Sequence, residues 1–546
     1  MTERGAPSQL WALTLVAGMA AATGLVPVEA VAEQADPRPN IILITADDMR
    51  ADDIRVMDNL RGLLTEQGTT FTNSYSSFPL CGPSRASLVT GQYAHNHGVL
   101  TNTRPLGGYQ ALDSSSTLAT WMDDAGYQTT FIGKYVNGFG NVRPQTTPPG
   151  WNDFHASLDD GNYFDTELLE DGNTRSYSDY QTDVYADITS DLISRDATGE
   201  DPFFLWASFY APHAGDPVEP DDPSVLFGSD VTTPAVAPRH RDAYAGVPPI
   251  QGPNYNEADV SDKPSGISSL APLSEENQQV ITELNQQRLE SLLALDEAIA
   301  QMMAALADTG ELDNTVIMFT SDNGLMLGEH RRVSGKIVPY EASARVPLVI
   351  RGPGFVAGQA RDQLVANIDL APTFLDVANG KAGLDLDGLS LLPLAADPSS
   401  RPPRALVVEA GPDVADGPWF YTGIRTDGWL YLEYEQTGEL ELYDMANDPY
   451  QLQSLHADPA YATQRDELAS QLSGLRRCAG VDCHGSPADA TQRDPEPTAV
   501  TSADAAPEAR QDLTTFAIST GVAGAALAIG LAVFFLRRRR RRLTRD

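Results

Sequence analysis

Cysteine is scarce in this chain, with three in 546 residues, and cations are outnumbered: 37 Lys and Arg stand against 75 Asp and Glu. The resulting formal charge of -38 excludes nucleic-acid binding as the main role, because a phosphate backbone is held by clustered Lys and Arg. No internal repeat is present. What the chain does have is a hydrophobic fraction of 42% and an aromatic fraction of 8%, which excludes wholesale disorder. Its length allows one large core, or a large domain with a smaller companion. Cys478 and Cys483 lie five apart and are natural disulfide partners in an oxidising compartment. That pairing leaves Cys81 alone.

Two apolar segments bear on the compartment. Residues 10–26 are followed by Val28-Glu29-Ala30 and Ala30-Val31-Ala32, a pattern suited to signal-peptidase cleavage and a signal peptide over 1–32. Arg4 is offset by Glu3, so an uncleaved anchor is the alternative reading. Residues 513–536 are uncharged and long enough to cross a hydrocarbon core of about 30 Å. Arg537 to Arg542 follow at once. Basic residues stay cytoplasmic, which places the body outside, a single span in the cell membrane and the 537–546 tail inside.

The first strong element after the Pro37–Pro39 link is Ile41-Ile42-Leu43-Ile44-Thr45. Similar short apolar runs recur at 129–132, 203–208, 315–319 and 346–350. Such runs read as strands buried on both faces, and helical patterns at 117–125 and 275–306 separate them. The expected fold is α/β: a large, mostly parallel sheet flanked by helices over 38–400. Over 401–485 the texture becomes short strands joined by turns and a helix at 460–475, read as a small antiparallel subdomain. Residues 486–512 are rich in Pro, Ala, Thr and acids without a hydrophobic pattern, and read as a flexible stalk.

The chemistry sits where the strands end. Asp47-Asp48 follow the first run, Gly133-Lys134 the second, Pro212-His213 the third and Asp322-Asn323-Gly324 the fourth. In open α/β sheets ligands bind at the carboxyl ends of strands. Asp47-Asp48 alone would equally suit a strand-to-helix cap. Joined by Asp322-Asn323 they offer hard oxygen ligands suited to Ca2+ or Mg2+. Cys81 lies just before a short helix bracketed by Pro83 and Gly91, and a helix N-terminus favours an anion.

The segment Leu80-Cys81-Gly82-Pro83-Ser84-Arg85, with Leu88 and Gly91 downstream, resembles the sulfatase signature, in which a dedicated formylglycine-generating enzyme oxidises the cysteine. The likeness extends in family order from 39 to 394, and Glu441-Leu442-Tyr443-Asp444 with Asp448-Pro449 resemble its closing segments. Together with Gln92 to His97 and Gly133 to Asn137, the motifs are most similar to the N-acetylglucosamine-6-sulfatase branch. The resemblance implies a formylglycine nucleophile at Cys81, a calcium site made by Asp47, Asp48, modified Cys81, Asp322 and Asn323, and a sulfated sugar as substrate. It implies that Arg85 steadies the modified side chain, that Lys134 and Lys336 neutralise sulfate, and that His213 protonates the leaving alcohol. The acidic body favours a small or lightly sulfated substrate over a long polyanion. One position departs from the pattern: where many sulfatases have His two residues after the lysine, this chain has Val136. His95 and His97 read as structural, and Asn137 as a sugar contact. A phosphomonoester or phosphonate-ester hydrolase of the same superfamily is the alternative, as is a non-catalytic surface binding protein. Against the latter stand Cys81, Arg85 and both metal pairs.

Overall fold

The computed structural model describes residues 38–485, apart from 160, 171, 220, 221 and 223–230. The expected signal peptide at 1–32, and the stalk, span and tail at 486–546, lie outside the described residues. Among the described residues no helix is long and apolar enough to cross a membrane.

Ten strands make the first sheet: β1 (Asn40–Ala46), β2 (Thr69–Tyr75), β3 (Gln128–Gly133), β4 (Asp153–Ser157), β5 (Thr166–Glu170), β6 (Asn173–Tyr177), β7 (Phe203–Ser208), β8 (Thr315–Ser321), β9 (Leu348–Arg351) and β10 (Gln359–Ala366). Their order is β10-β2-β9-β8-β1-β7-β3-β4-β5-β6. Every residue of β1 is buried, because both faces of the sheet are covered. Ile41 and Leu43 enter one core with Phe204, Trp206, Val316 and Met318. Ile42 and Ile44 enter the opposite core with Phe203, Leu205, Ile317 and Phe319. A continuous apolar run is therefore what a doubly covered central strand requires. The Gln181–Asp196 and Glu275–Thr309 helices cover the second face through Val184, Leu192, Leu292, Ile299 and Leu306. The long helix is bounded by Ser274, whose side chain accepts from Asn277 N, and by left-handed Gly310.

The expected parallel arrangement is found from β8 through β1, β7 and β3 to β4. The sheet as a whole is mixed, because β9 runs antiparallel to β8 and β2, and β5 and β6 form an antiparallel extension. The 346–350 run, read as one of the parallel strands, is β9. Its direction follows from the 322–347 connection, whose only helix is the four-residue Glu341–Ala344 turn. A parallel return needs a crossover long enough to span the sheet face, usually a helix. This connection stays at the strand ends, so the chain re-enters from the same edge.

The second sheet is antiparallel, as expected: β11 (Leu406–Ala410), β12 (Tyr421–Arg425), β13 (Trp429–Glu433) and β14 (Leu440–Asp444), in that order. The Ala462–Leu475 helix closes it through Leu468, Leu472 and Leu475. Cys478 and Cys483 are disulfide-bonded, and Cys81 is free and buried. The two sheets share a core containing Tyr75, Ile368, Leu406 and Ile424, and belong to one compact unit.

Arg404 ties the sheets by a two-pronged bond to Asp369, at 2.7 and 2.5 Å, with both side chains buried. Arg404→Ala is expected to cost about 3–5 kcal/mol, since it leaves a buried carboxylate unpaired. Arg401 pairs with Asp362 where both are exposed, at 48% and 65%. Arg401→Ala is expected to cost under about 1 kcal/mol. Denaturant unfolding of the two variants checks the contrast.

Candidate active site

Because β8, β1, β7 and β3 are parallel neighbours, their carboxyl ends open on the same edge. Asp47 and Asp48 leave β1 there, Asp322 and Asn323 leave β8, Lys134 leaves β3, and Ser208 ends β7 a few residues before His213. Asp48 adopts a left-handed backbone at φ 65°, which turns its carboxylate back toward the site. That turn is held from behind. Arg288, buried in the long helix, donates to the Asp48 carbonyl at 2.6 Å, to the Pro212 carbonyl at 3.3 Å and to Asp53 Oδ2 at 3.2 Å.

Cys81 is the first residue of the Cys81–Thr90 helix, which ends at left-handed Gly91. Asn102 Oδ1 accepts from the free Gly82 N–H at 2.7 Å, and Asn367 Nδ2 donates to Ser84 O at 3.2 Å. The Cys81 thiol lies 3.3 Å from Asp47 Oδ1 and 3.8 Å from Asp48 Oδ1, and accepts from Lys336 Nζ at 2.8 Å. Arg85, one turn along, reaches past Cys81. Its Nε donates to Asp322 Oδ2 at 2.9 Å, Nη2 to Asp47 Oδ2 at 3.4 Å, and Nη1 to Lys134 O and Ser208 Oγ at 2.6 and 2.7 Å. What it holds directly is the pair of carboxylates and the end of β3.

Charge dominates the cluster. Lys134 Nζ donates to Asp47 Oδ2 and Lys336 Nζ to Asp48 Oδ1. Burial alone would raise the Asp47 carboxyl; Lys134, His213, Arg85 and Lys336 together hold it well below the carboxylate range. Burial likewise opposes ionisation of Asp48, and Lys336 and His213 overcome it. Asp322 goes the other way, pushed up to about 6 by burial and by Asp47. Burial, then Asp47, push the Cys81 thiol well up. His213 Nδ1 faces the Ala214 carbonyl at 2.7 Å, which can only accept, so Nδ1 carries the proton and Nε2 faces Asp48 Oδ2 at 3.6 Å. Burial lowers the imidazole's pKa.

The donor set fits a hard divalent cation. One ligand atom each from Asp47, Asp48, Cys81 and His213 lie within 4.8 Å of one another. Asn323 donates from Nδ2 to Asp48 Oδ1 at 2.7 Å, while its Oδ1 is buried with no hydrogen-bond partner among the described residues. An orphaned amide oxygen beside three carboxylates is suited to Ca2+ or Mg2+.

The structure thus gathers Asp47, Asp48, Cys81, Arg85, Lys134, His213, Asp322, Asn323 and Lys336. His95 is elsewhere, bonding Glu409 Oε2 at 2.8 Å and Cys478 O at 3.1 Å, and His97 Nε2 lies 3.0 Å from Ser87 Oγ. Val136 is packed in the core, so no polar group acts from that position. Asn137 keeps a buried Oδ1 without a partner among the described residues. Arg288, Ser208 and Asn102 were not foreseen. Arg288 alone carried a signal, as a charge between Leu284 and Leu292 in the buried stripe of a helix.

Comparison with known proteins agrees with this geometry. The family described as Sulfatase matches residues 39–380, and that described as N-sulphoglucosamine sulphohydrolase, C-terminal, matches 328–478. The N-acetylglucosamine-6-sulfatase of Capra hircus is 30% identical over 501 residues, covering 82% of this chain and 85% of that protein. The extracellular sulfatase SULF-1 homolog of Drosophila melanogaster is 34% identical over 368 residues, 65% of this chain but 31% of that protein. Among solved structures, one in complex with its substrate D-glucosamine-2-N,6-O-disulfate superposes with a TM-score of 0.64 at 25% identity, over 83% of this chain and 100% of that one. With the signature segment, the strand-end residues and the mixed sheet all in place, the chain belongs to the sulfatase family and is a sulfuric ester hydrolase.

Proposed function

We propose that this chain removes sulfate from a sulfated amino sugar of the N-acetylglucosamine-6-sulfate type, through formylglycine made from Cys81 and with a divalent cation, Ca2+ by preference. The observation that carries the reading is the setting of Cys81, at a helix N-terminus, 2.8 Å from Lys336 Nζ and 3.3 Å from Asp47 Oδ1. A thiol whose pKa is pushed up by burial and Asp47 is a poor nucleophile. The same position suits a hydrated aldehyde, whose two hydroxyls share one carbon: one attacks sulfur and the other expels sulfate as the aldehyde re-forms. The relatives' names and the substrate in the superposed structure support the sugar class.

Asp47, Asp48, Asp322, Asn323 and the modified residue 81 would hold the cation. Bound there, it would acidify the attacking hydroxyl and offset charge on the sulfate oxygens. The chain's own residues do the rest. Three carboxylates face three cationic side chains, so the cluster is close to neutral by itself and becomes cationic on binding the ion, as a sulfate monoanion needs. Lys336, fixed beside residue 81, neutralises the sulfate there, and Lys134 contributes the second charge. Arg85 keeps Asp47 and Asp322 apart and anchored. His213, its Nδ1 committed to Ala214, presents Nε2 to the leaving alcohol. Burial depresses its pKa and an incoming anion counters that, so Nε2 takes up a proton from solvent as the substrate binds.

We place this activity on the outer face of a cell membrane. The support is compositional: the apolar 10–26 and 513–536 segments and the six arginines after the second.

Sulfate release from N-acetylglucosamine-6-sulfate, compared with phosphate release from the 6-phosphate, tests the reading. The sulfate ester is expected to turn over at least about tenfold faster, a difference of about 1.4 kcal/mol in the barrier. Faster phosphate release would favour the phosphohydrolase alternative. Stripping divalent ions with a chelator is expected to abolish sulfate release and added Ca2+ to restore it. Lys336→Ala is expected to lower kcat/KM by about 10²–10³-fold, the usual loss for one preorganised charge or donor at the reacting centre.

A further inference from the structure

The charged cluster is not the only hollow in this molecule. A cavity of about 360 Å³ is lined by Asp179, Asp183 and Asp187, and such a lining repels anions. Another, of about 300 Å³, is lined by Asn102, Thr103, Arg104, Gln110, Asn141 and the backbone of three glycines. It contains no carboxylate, although acids outnumber bases two to one along the chain. Its size is at the lower end of the roughly 300–1,000 Å³ found for small-molecule sites.

The walls of this second cavity are tied to the segments that carry Cys81 and Lys134. On one side Asn102 holds the N–H of Gly82, next to Cys81, at 2.7 Å. On the other, Gly138 and Asn141 follow Lys134 along the chain. The walls meet where Tyr109 N donates to Asn137 O at 2.8 Å. A Cβ on Gly108, at φ 69°, would lie 2.8 Å from Asn137 O and 2.9 Å from Asn102 O, so only glycine lets them close. Arg104 is exposed at the rim and makes no hydrogen bond or ion pair among the described residues. In so acidic a chain an unpaired guanidinium beside a polar hollow is well placed for a ligand's anion, and its planar fork matches sulfate or carboxylate.

We propose that this cavity is a second-anion subsite: it takes a sulfate or carboxylate on the sugar next to the one presenting the scissile ester. Arg104 is the counter-ion, and the amides of Asn102, Gln110 and Asn141 meet the ring hydroxyls. The inference rests on the sulfated-carbohydrate reading and adds a preference that the catalytic cluster does not itself supply.

The test uses three disaccharides with the same sulfate ester, whose neighbouring sugar is neutral, carboxylated or sulfated. Their binding is measured by calorimetry to the Ca2+-loaded Cys81→Ala chain, which cannot turn them over. At least one charged disaccharide is expected to bind about tenfold tighter than the neutral one, and which of the two does so identifies the anion. Adding Arg104→Gln is expected to bring all three within about twofold. Adding Arg143→Gln, which removes the same charge outside the cavity, is expected to retain the preference. No preference, or a preference that survives Arg104→Gln, would overturn the subsite. Sulfate release by the wild-type chain is followed in parallel. If it is absent for all three while the Arg104-dependent preference persists, the subsite stands and the hydrolase reading falls.

Discussion

Three carboxylates and three cationic side chains share one poorly hydrated space, and much of the surrounding structure exists to keep them there. Asp47, Asp48 and Asp322 are each at most 5% exposed, and Arg85 and Lys134 are as deeply placed. Any of these charges left alone would be strongly destabilising. The cluster is tolerable because every member is shared: Asp47 serves Lys134 and Arg85, Asp48 serves Lys336 and Asn323, and Asp322 serves Arg85 and the Asp48 N–H. The parallel strand ends bring the groups to one edge. The left-handed turn at Asp48, braced by Arg288, aims the second carboxylate inward. The site is thereby preorganised around charge, which is what transfer of a sulfuryl group requires.

Much of the fold and most of the site could be read in the sequence, for a physical reason. Residues at the ends of buried parallel strands are local in sequence, so Asp47-Asp48, Lys134, His213 and Asp322-Asn323 each follow an apolar run that identifies them. The Cys81 helix is equally local. Strand direction is a different matter. A short apolar run such as 346–350 looks the same in either orientation, and its antiparallel pairing is decided by the path of the 322–347 connection. The β5–β6 extension, whose outer strand is largely exposed, has no apolar run to announce it. Arg288 and Asn102 were also hidden. Their contacts to Asp48 and Gly82 cross 240 and 20 residues, and the one local mark, the charge of Arg288 in a buried helical stripe, does not name its partners.

The second sheet contributes to the site indirectly. Glu409 on β11 fixes His95, and Arg404 just before that strand is clamped to Asp369. Asp387 receives Tyr93 N, Asn96 Nδ2 and Gly480 N. These contacts pin the segment following the Cys81–Thr90 helix, so the smaller sheet holds that helix from its far end. The Lys336 connection is pinned comparably, by Arg50 to Glu329 at 2.7 Å and by Arg331 to the carbonyls of Glu257, Ala258 and Leu270. A flexible loop would let the Lys336 ammonium drift from residue 81; this one is bonded ahead of Lys336 by those contacts and just after it by Ile337 N, which donates to Pro79 O at 3.0 Å.

The central claim is that the nucleophile at residue 81 is not a thiol. Mass spectrometry of the peptide containing residue 81, from protein that releases sulfate, tests it most directly. The account predicts a peptide lighter by about 18 Da, thiol replaced by aldehyde, in proportion to the active fraction. A fully active preparation with an intact Cys81 thiol would contradict it.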